Sequence, residues 1–176
     1  MLMGIVVAAA LAGCFLGAAT SQRPPADMTD EALVGSWQTE SGAVFVFRAD
    51  HTFSVSDLPP AKFEKYGNLP SGFDPKHDQL PASGTWEILR PPGATAGPYS
   101  RVGLHLRSLA QRPVTIGTEL LAQKEDQETV LTLYLGDPDS DVRVVYYKCA
   151  STCVPAPGSS AGRTPTAGVT RLASPT

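Results

Sequence analysis

The sequence predicts an all-β chain folded as an antiparallel up-and-down barrel of roughly eight strands. Three observations lead there. Short runs of β-branched and aromatic residues recur along the middle of the chain with alternating polarity, as half-buried strands require. Sixteen prolines and sixteen glycines among 176 residues punctuate those runs and leave little room for long helices. Two pairs of runs are joined by residues that favour tight reversals, so sequential antiparallel pairing is the natural connection.

The first element is an address. Residues 4–19 carry no charge, and Ile5-Val6-Val7-Ala8-Ala9-Ala10-Leu11 has the length of a signal-peptide apolar region. It ends in Leu11-Ala12-Gly13-Cys14, a quartet that resembles the bacterial lipobox. The resemblance implies diacylglyceryl transfer to Cys14, cleavage after Gly13, and a palmitate-type acyl anchor holding the protein to the outer face of the cytoplasmic membrane. Two acyl chains there give stable anchoring where one does not. Two features depart from that pattern: no Lys or Arg precedes the apolar run, and Phe15-Leu16 continue it past the cysteine. Cleavage after Ala19, which would make a secreted protein, and retention of the segment as a membrane-spanning helix are the alternatives. All three place the rest of the chain outside the cytoplasm. Residues 1–19 are thus read as signal peptide with lipobox, and residues 20–32, with Gln22-Arg23-Pro24-Pro25, as a polar spacer.

The domain is placed at residues 33–153. Residues 33–38 form the first strand. Residues 43–47 (Ala-Val-Phe-Val-Phe) and 52–55 (Thr-Phe-Ser-Val) are the next two, reversed at Asp50-His51. An insertion at residues 57–82 follows, with Pro59, Pro60, Pro70, Pro75 and Pro81 and room for one helical turn at residues 60–66. A connection this long is usually functional or disordered. Residues 85–89, 102–106 and 114–122 supply three more strands. The last two are residues 129–135 and 142–147, flanking Gly136-Asp137-Pro138-Asp139-Ser140-Asp141. Beyond them, residues 154–176 are almost wholly Pro, Gly, Ser, Ala and Thr, too poor in apolar area to offset their ordering entropy, and are expected to be a disordered tail.

Leu33-Val34-Gly35-Ser36-Trp37, with the hairpin Asp50-His51-Thr52-Phe53 and a second Gly84-Thr85-Trp86, resembles the Gly-x-Trp signature of lipocalin and avidin-like barrels. The same pattern, with Gly136-Asp137-Pro138-Asp139, resembles uncharacterised secreted lipoproteins of actinobacteria. The resemblance implies a lipocalin-like barrel in which a tryptophan plugs the closed end. Trp37 and Trp86 are read as core residues, with the alternative that one of them lines a ligand cavity.

Charge and motif content set activities aside. Fourteen basic and seventeen acidic residues give a net charge of -3 with no basic stripe, so neither nucleic acid nor an anionic lipid surface is the expected partner. No nucleophile elbow, phosphate loop or zinc-helix motif is present, and the chain is not read as an enzyme. Asp137, Asp139 and Asp141 alternate like a calcium loop, but Val142 and Lys148 stand where its glycine and bidentate glutamate belong, so no metal or other cofactor is assigned. Asp74, His77 and Asp78 are read as a solvated loop, and His105, Arg101 and Arg107 as the outer face of a strand whose inner face is Val102, Leu104 and Leu106. Cys149 and Cys153 are the disulfide pair.

Two functions follow. One is a tethered monomer whose mouth or interior binds a small hydrophobic or amphipathic ligand. The other is a cell-envelope module with a filled core that contacts a protein or glycan. They separate on whether small residues such as Gly103, Gly117 and Ala122 face inward; along residues 114–122, Val114, Ile116 and Leu120 alternate with Thr115, Gly117 and Glu119, and both orientations stay open.

Overall fold

Alternation and turn chemistry produce eight consecutive antiparallel strands that close on themselves. The computed structural model describes residues 23–64, 67–90, 93, 99–137, 142–150 and 153. The strands are β1 (Gly35–Gln38), β2 (Val44–Phe47), β3 (Thr52–Val55), β4 (Ala82–Leu89), β5 (Arg101–Leu109), β6 (Arg112–Glu125), β7 (Glu128–Tyr134) and β8 (Arg143–Lys148). They form a closed barrel in sequence order, with β1 paired to β8 through Trp37↔Lys148 and Gln38↔Tyr147. The expected antiparallel up-and-down topology is therefore the observed one.

The reversals have local causes. At the β2–β3 hairpin, His51 takes a left-handed φ of 61°, and Asp50 Oδ1 accepts from both the Thr52 amide and the Thr52 hydroxyl. Those bonds, led by the hydroxyl, favour the charged carboxylate and hold its pKa below the usual value. Two other hairpins turn on Ala110-Gln111 and Asp126-Gln127, each pair with both φ positive. That is the geometry matching strand twist, reached here without glycine; the Asp126-Gln127 tip falls where the sequence places a turn before Thr129, and the Ala110-Gln111 tip does not stand out in the sequence.

The chain enters differently from the expectation. The first strand begins at Gly35, because Thr29 accepts from the Ala32 amide and opens a helical turn, α1 (Asp30–Leu33), with Asp30 and Glu31 at its positive end. The stretch expected as a spacer also belongs to the folded body from its Arg23–Pro24 portion onward. β6 runs past the start of β5, and the exposed edge is completed by Pro25 opposite Gln123, with Ala26 N donating to Ala122 O and Lys124 N to Pro24 O. Ala26 and Met28 are buried as a result.

Barrel register settles the inward faces. Trp37↔Phe45, Phe45↔Val55, Leu104↔Thr118, Ala122↔Leu131 and Leu131↔Tyr146 carry one face around the whole circumference. Val114, Ile116, Leu120 and Ala122 therefore face in, and Gly103 and Gly117 face out. An aromatic stack of Phe45, Phe47, Phe53 and Tyr146 fills the interior, with Phe45 and Phe47 5.3 Å apart and Tyr146 edge-on to Phe45 at 4.9 Å. One end is closed by α1. At the other, the insertion lays Leu58, Phe63 and Leu80 over the barrel, all buried, with Phe63 on the short helix α2 (Ala61–Glu64) where a helical turn was expected.

Candidate functional site

An aromatic stack of Phe45, Phe47, Phe53 and Tyr146 occupies the interior near the tryptophans, so the site is sought where inward positions are not sealed. Those positions are on β6. Val114, Ile116 and Thr118 face in yet are only half-buried, whereas Leu120 and Ala122 on the same face are fully buried. A pocket of about 830 Å³ borders this stretch. Its apolar floor is Phe63, Leu104 and Ile116, and its rim carries Lys62, Asn68 and Thr118. Lys62 Nζ donates to the Tyr134 carbonyl at 2.6 Å, tying α2 across the mouth to the end of β7.

The pocket continues on the outer side of the same strands, where Gly103 and Gly117 contribute no side chain. Its outer wall is a His105–Glu87 hydrogen bond and an Arg101–Glu119 ion pair. His105 Nε2 lies 2.8 Å from Glu87 Oε1, and Arg101 Nε donates to Glu119 Oε2 at 2.9 Å. Both pairs are about half exposed, so solvent screens them and they define polarity more than stability. Apolar floor and charged wall together suit a molecule with one greasy and one polar end.

One buried polar atom sits in the core. The Tyr146 hydroxyl has no hydrogen-bond partner, and burial, reinforced by the Asp57 charge, pushes its pKa far above the tyrosine range. Asp57 opens the insertion, where its carboxylate accepts from the Leu80 amide.

The two tryptophans lie at the closed end. Trp37 Nε1 donates to the Leu33 carbonyl of α1 at 2.8 Å, and Trp86 Nε1 is shared between the Arg48 and Thr52 carbonyls at 3.2 and 3.1 Å. Both are buried and internally satisfied, and the 830 Å³ pocket is built without either. Trp37 borders a smaller surface pocket beside Lys148 and Cys149.

Cys149 and Cys153 are joined by a disulfide, with Cα atoms 5.4 Å apart, just past β8. Val102, Leu104 and Leu106 are buried while Arg101, His105 and Arg107 are exposed, as alternation predicts. Asp74 Oδ2 lies 2.6 Å from His77 Nδ1 on an exposed turn, and His77 and Lys76 lower the Asp74 pKa by favouring its charged form. Among the described residues no group of three His, Cys, Asp or Glu could hold a metal ion. Cys14 and the signal segment, Asp139, Asp141 and the 154–176 tail lie outside the described residues.

Sequence reasoning offered the mouth or interior as the ligand site and left open which face of residues 114–122 points inward, so it did not locate the half-sealed stretch on β6. Its only sequence signal is a run, Val114-Thr115-Ile116-Gly117-Thr118, whose two faces are nearly equal in polarity. Comparison with protein families, curated proteins and solved structures gives no match for this chain.

Proposed function

We propose that this protein is a non-enzymatic binding module, held at the outer face of a cytoplasmic membrane by acyl chains on Cys14, that takes the apolar part of an amphipathic small molecule into the mouth of an otherwise filled barrel. The observation that carries the reading is the contrast along one face of β6: Val114, Ile116 and Thr118 are half-buried beneath the insertion while Leu120 and Ala122 are sealed. A floor of Phe63, Leu104 and Ile116 favours hydrocarbon, and the Glu87–His105 and Arg101–Glu119 pairs favour a polar head outside.

The solid aromatic stack favours a second reading, a filled-core envelope module that meets a protein or glycan on its outer face. Native mass spectrometry separates the two. The full chain, solubilised from its host membrane, is expected to carry a reproducible extra mass that is lost on denaturation. Replacing Ile116 by Trp should fill the floor and lower that occupancy about tenfold or more, the effect of a 1.4 kcal/mol loss. A clean apo mass that persists after exposure to a lipid extract would turn the search to protein and glycan partners.

A further inference from the structure

β6 and β7 separate partway along the barrel. Their ladder runs from Glu125↔Glu128 to Leu121↔Thr132 and stops there. β7 continues beside β8 to Tyr134↔Arg143, and Leu135 N still donates to Val142 O. β6 continues beside β5 in unbroken register from Arg101↔Leu121 to Leu106↔Ile116. Each strand keeps its other neighbour, so the split opens an edge in a wall that barrel closure otherwise leaves without one.

Alternation decides which backbone groups face the split. The amides of Ala122 and Lys124 donate to Ser100 O and Pro24 O, both on the β5 side. Even-numbered residues of β6 therefore turn N–H and C=O towards β5, and Gly117 and Glu119 turn theirs towards β7. Continued by two residues, the β6–β7 register would set Glu119 opposite Tyr134. Instead the Tyr134 carbonyl accepts from Lys62 Nζ at 2.6 Å, which satisfies β7 and leaves β6 open. The Gly117 N–H and C=O have no backbone partner among the described residues, and Glu119 lies past the last rung. Thr115 and Gly117 are exposed, and a Cβ added at Gly117 would meet nothing within 4 Å. Residues 114–118 carry no charge, and the residues that discourage strand pairing, Arg112 and Pro113, sit beyond them at the tip.

The pocket of about 830 Å³ touches Phe63 and Ile116 from the inner side and Glu87 and His105 from the outer. A space that meets both faces of a sheet passes round an edge. Unpaired N–H and C=O groups at a two-residue repeat are matched by another polypeptide backbone, and neither a hydrocarbon chain nor a sugar offers that repeat. A slot of this volume, bounded across from the edge by Lys62 and Asn68, admits one strand and not the flank of a second barrel. We infer that the edge of β6 at Gly117 and Glu119 is a strand-addition site for an extended segment of a partner protein. That segment alternates apolar residues, set against Phe63 and Ile116, with uncharged polar ones beside Gly117, and has no proline at its paired positions. The inference goes beyond the small-molecule reading, because main-chain bonds at the edge hold the strand while the floor alone holds the ligand.

Amide hydrogen exchange, followed by NMR on the isotope-labelled full chain in detergent, tests it, with a capped heptapeptide of alternating valine and threonine as the probe. In the free protein the Gly117 amide is expected to exchange at least about tenfold faster than those of Thr118 and Leu120, which face β5. The peptide should slow Gly117 and Glu119 about tenfold or more and leave the amides of β3 unchanged. The same peptide N-methylated along its length, with no amide to donate, should have no effect. Gly117→Pro removes an edge donor and no bond to β5, so it should weaken the peptide about tenfold or more; the exchange measurement on the parent chain decides the matter if that variant does not fold. Peptide protection in a chain that carries no co-purifying mass supports the inference and removes the small-molecule reading alone. A Gly117 amide already protected in the free chain would give the edge to the protein's own residues, or to a second copy if protection rises with protein concentration, and either overturns the inference. Gly117 exchange unchanged by the peptide, equal slowing by the N-methylated peptide, or undiminished affinity in folded Gly117→Pro would overturn it as well.

Discussion

Adding one methyl group to Gly84 should do more damage than most core truncations in this protein. A Cβ built there lies 2.0 Å from the His105 carbonyl oxygen, 2.9 Å from its carbonyl carbon and 3.0 Å from Leu106 Cα. All three are backbone atoms of β5, beside the register shift at Ser83/Gly84, so no rotamer change relieves the overlap. A carbon and a carbonyl oxygen normally approach to about 3.3 Å, so β4 and β5 must separate locally by roughly 1.3 Å. Overpacking of this kind costs about 1–3 kcal/mol, and each ladder bond it weakens adds about 1 kcal/mol. The expected loss for Gly84→Ala is about 3–4 kcal/mol, a large part of the roughly 5–15 kcal/mol that holds a domain together. Gly117→Ala is the internal control, since nothing lies within 4 Å of its Cβ position and its φ is not left-handed. It should be neutral or stabilising by up to about 1 kcal/mol through the unfolded chain. Urea unfolding followed by tryptophan fluorescence reads both variants, with Trp86 two residues from the first. A Gly84→Ala chain within about 1 kcal/mol of the parent at unchanged m-value, or an equal loss in both variants, would refute the steric argument.

Tyr146 keeps its proton in the folded state while an unfolded tyrosine loses it near pH 10, so the folded state binds more protons above that pH and stability should fall as pH rises through it, by up to about 1.4 kcal/mol per pH unit. Tyr146→Phe should flatten that alkaline limb and, by removing a buried hydroxyl without a partner, change stability near pH 7 by less than about 1 kcal/mol; an unchanged limb in alkaline urea titrations would contradict the burial argument. Lys148 has the opposite sign, its pKa being lowered by desolvation, so only the difference between variant and parent isolates Tyr146. Replacing both Cys149 and Cys153 by Ser opens a five-residue ring and should cost about 2 kcal/mol, visible as a lower Tm that reductant no longer shifts. Phe63→Ala should cost up to about 3 kcal/mol, and hydrogen exchange should rise first in the insertion, because Phe63 is the buried contact of α2; uniform acceleration across the barrel would mean that the insertion is not a separate cover.

What could be read from residue order alone was whatever depends on near neighbours. Alternation at Val102-Gly103-Leu104-His105-Leu106 assigns two faces without knowledge of any other strand, and the structure buries the set that alternation selects. Clusters of Asp, Gly and Pro mark most reversals, because backbone conformation at a turn is a property of two or three residues. The Ala110-Gln111 tip escaped because its left-handed residues carry side chains, held there by the flanking ladders instead of by intrinsic preference.

Tertiary structure decided what depends on distant partners. On β6 the two candidate faces are similar in polarity, and only the pairing Leu104↔Thr118 and Ala122↔Leu131 turns Ile116 inward and Gly117 outward. The folding-in of Ala26 and Met28 likewise depends on β6 outrunning β5, a length mismatch that no local window contains. The half-open mouth arises in the same way. It is a consequence of closure, since a strand in a barrel has its faces assigned by its neighbours' register and not by its own composition.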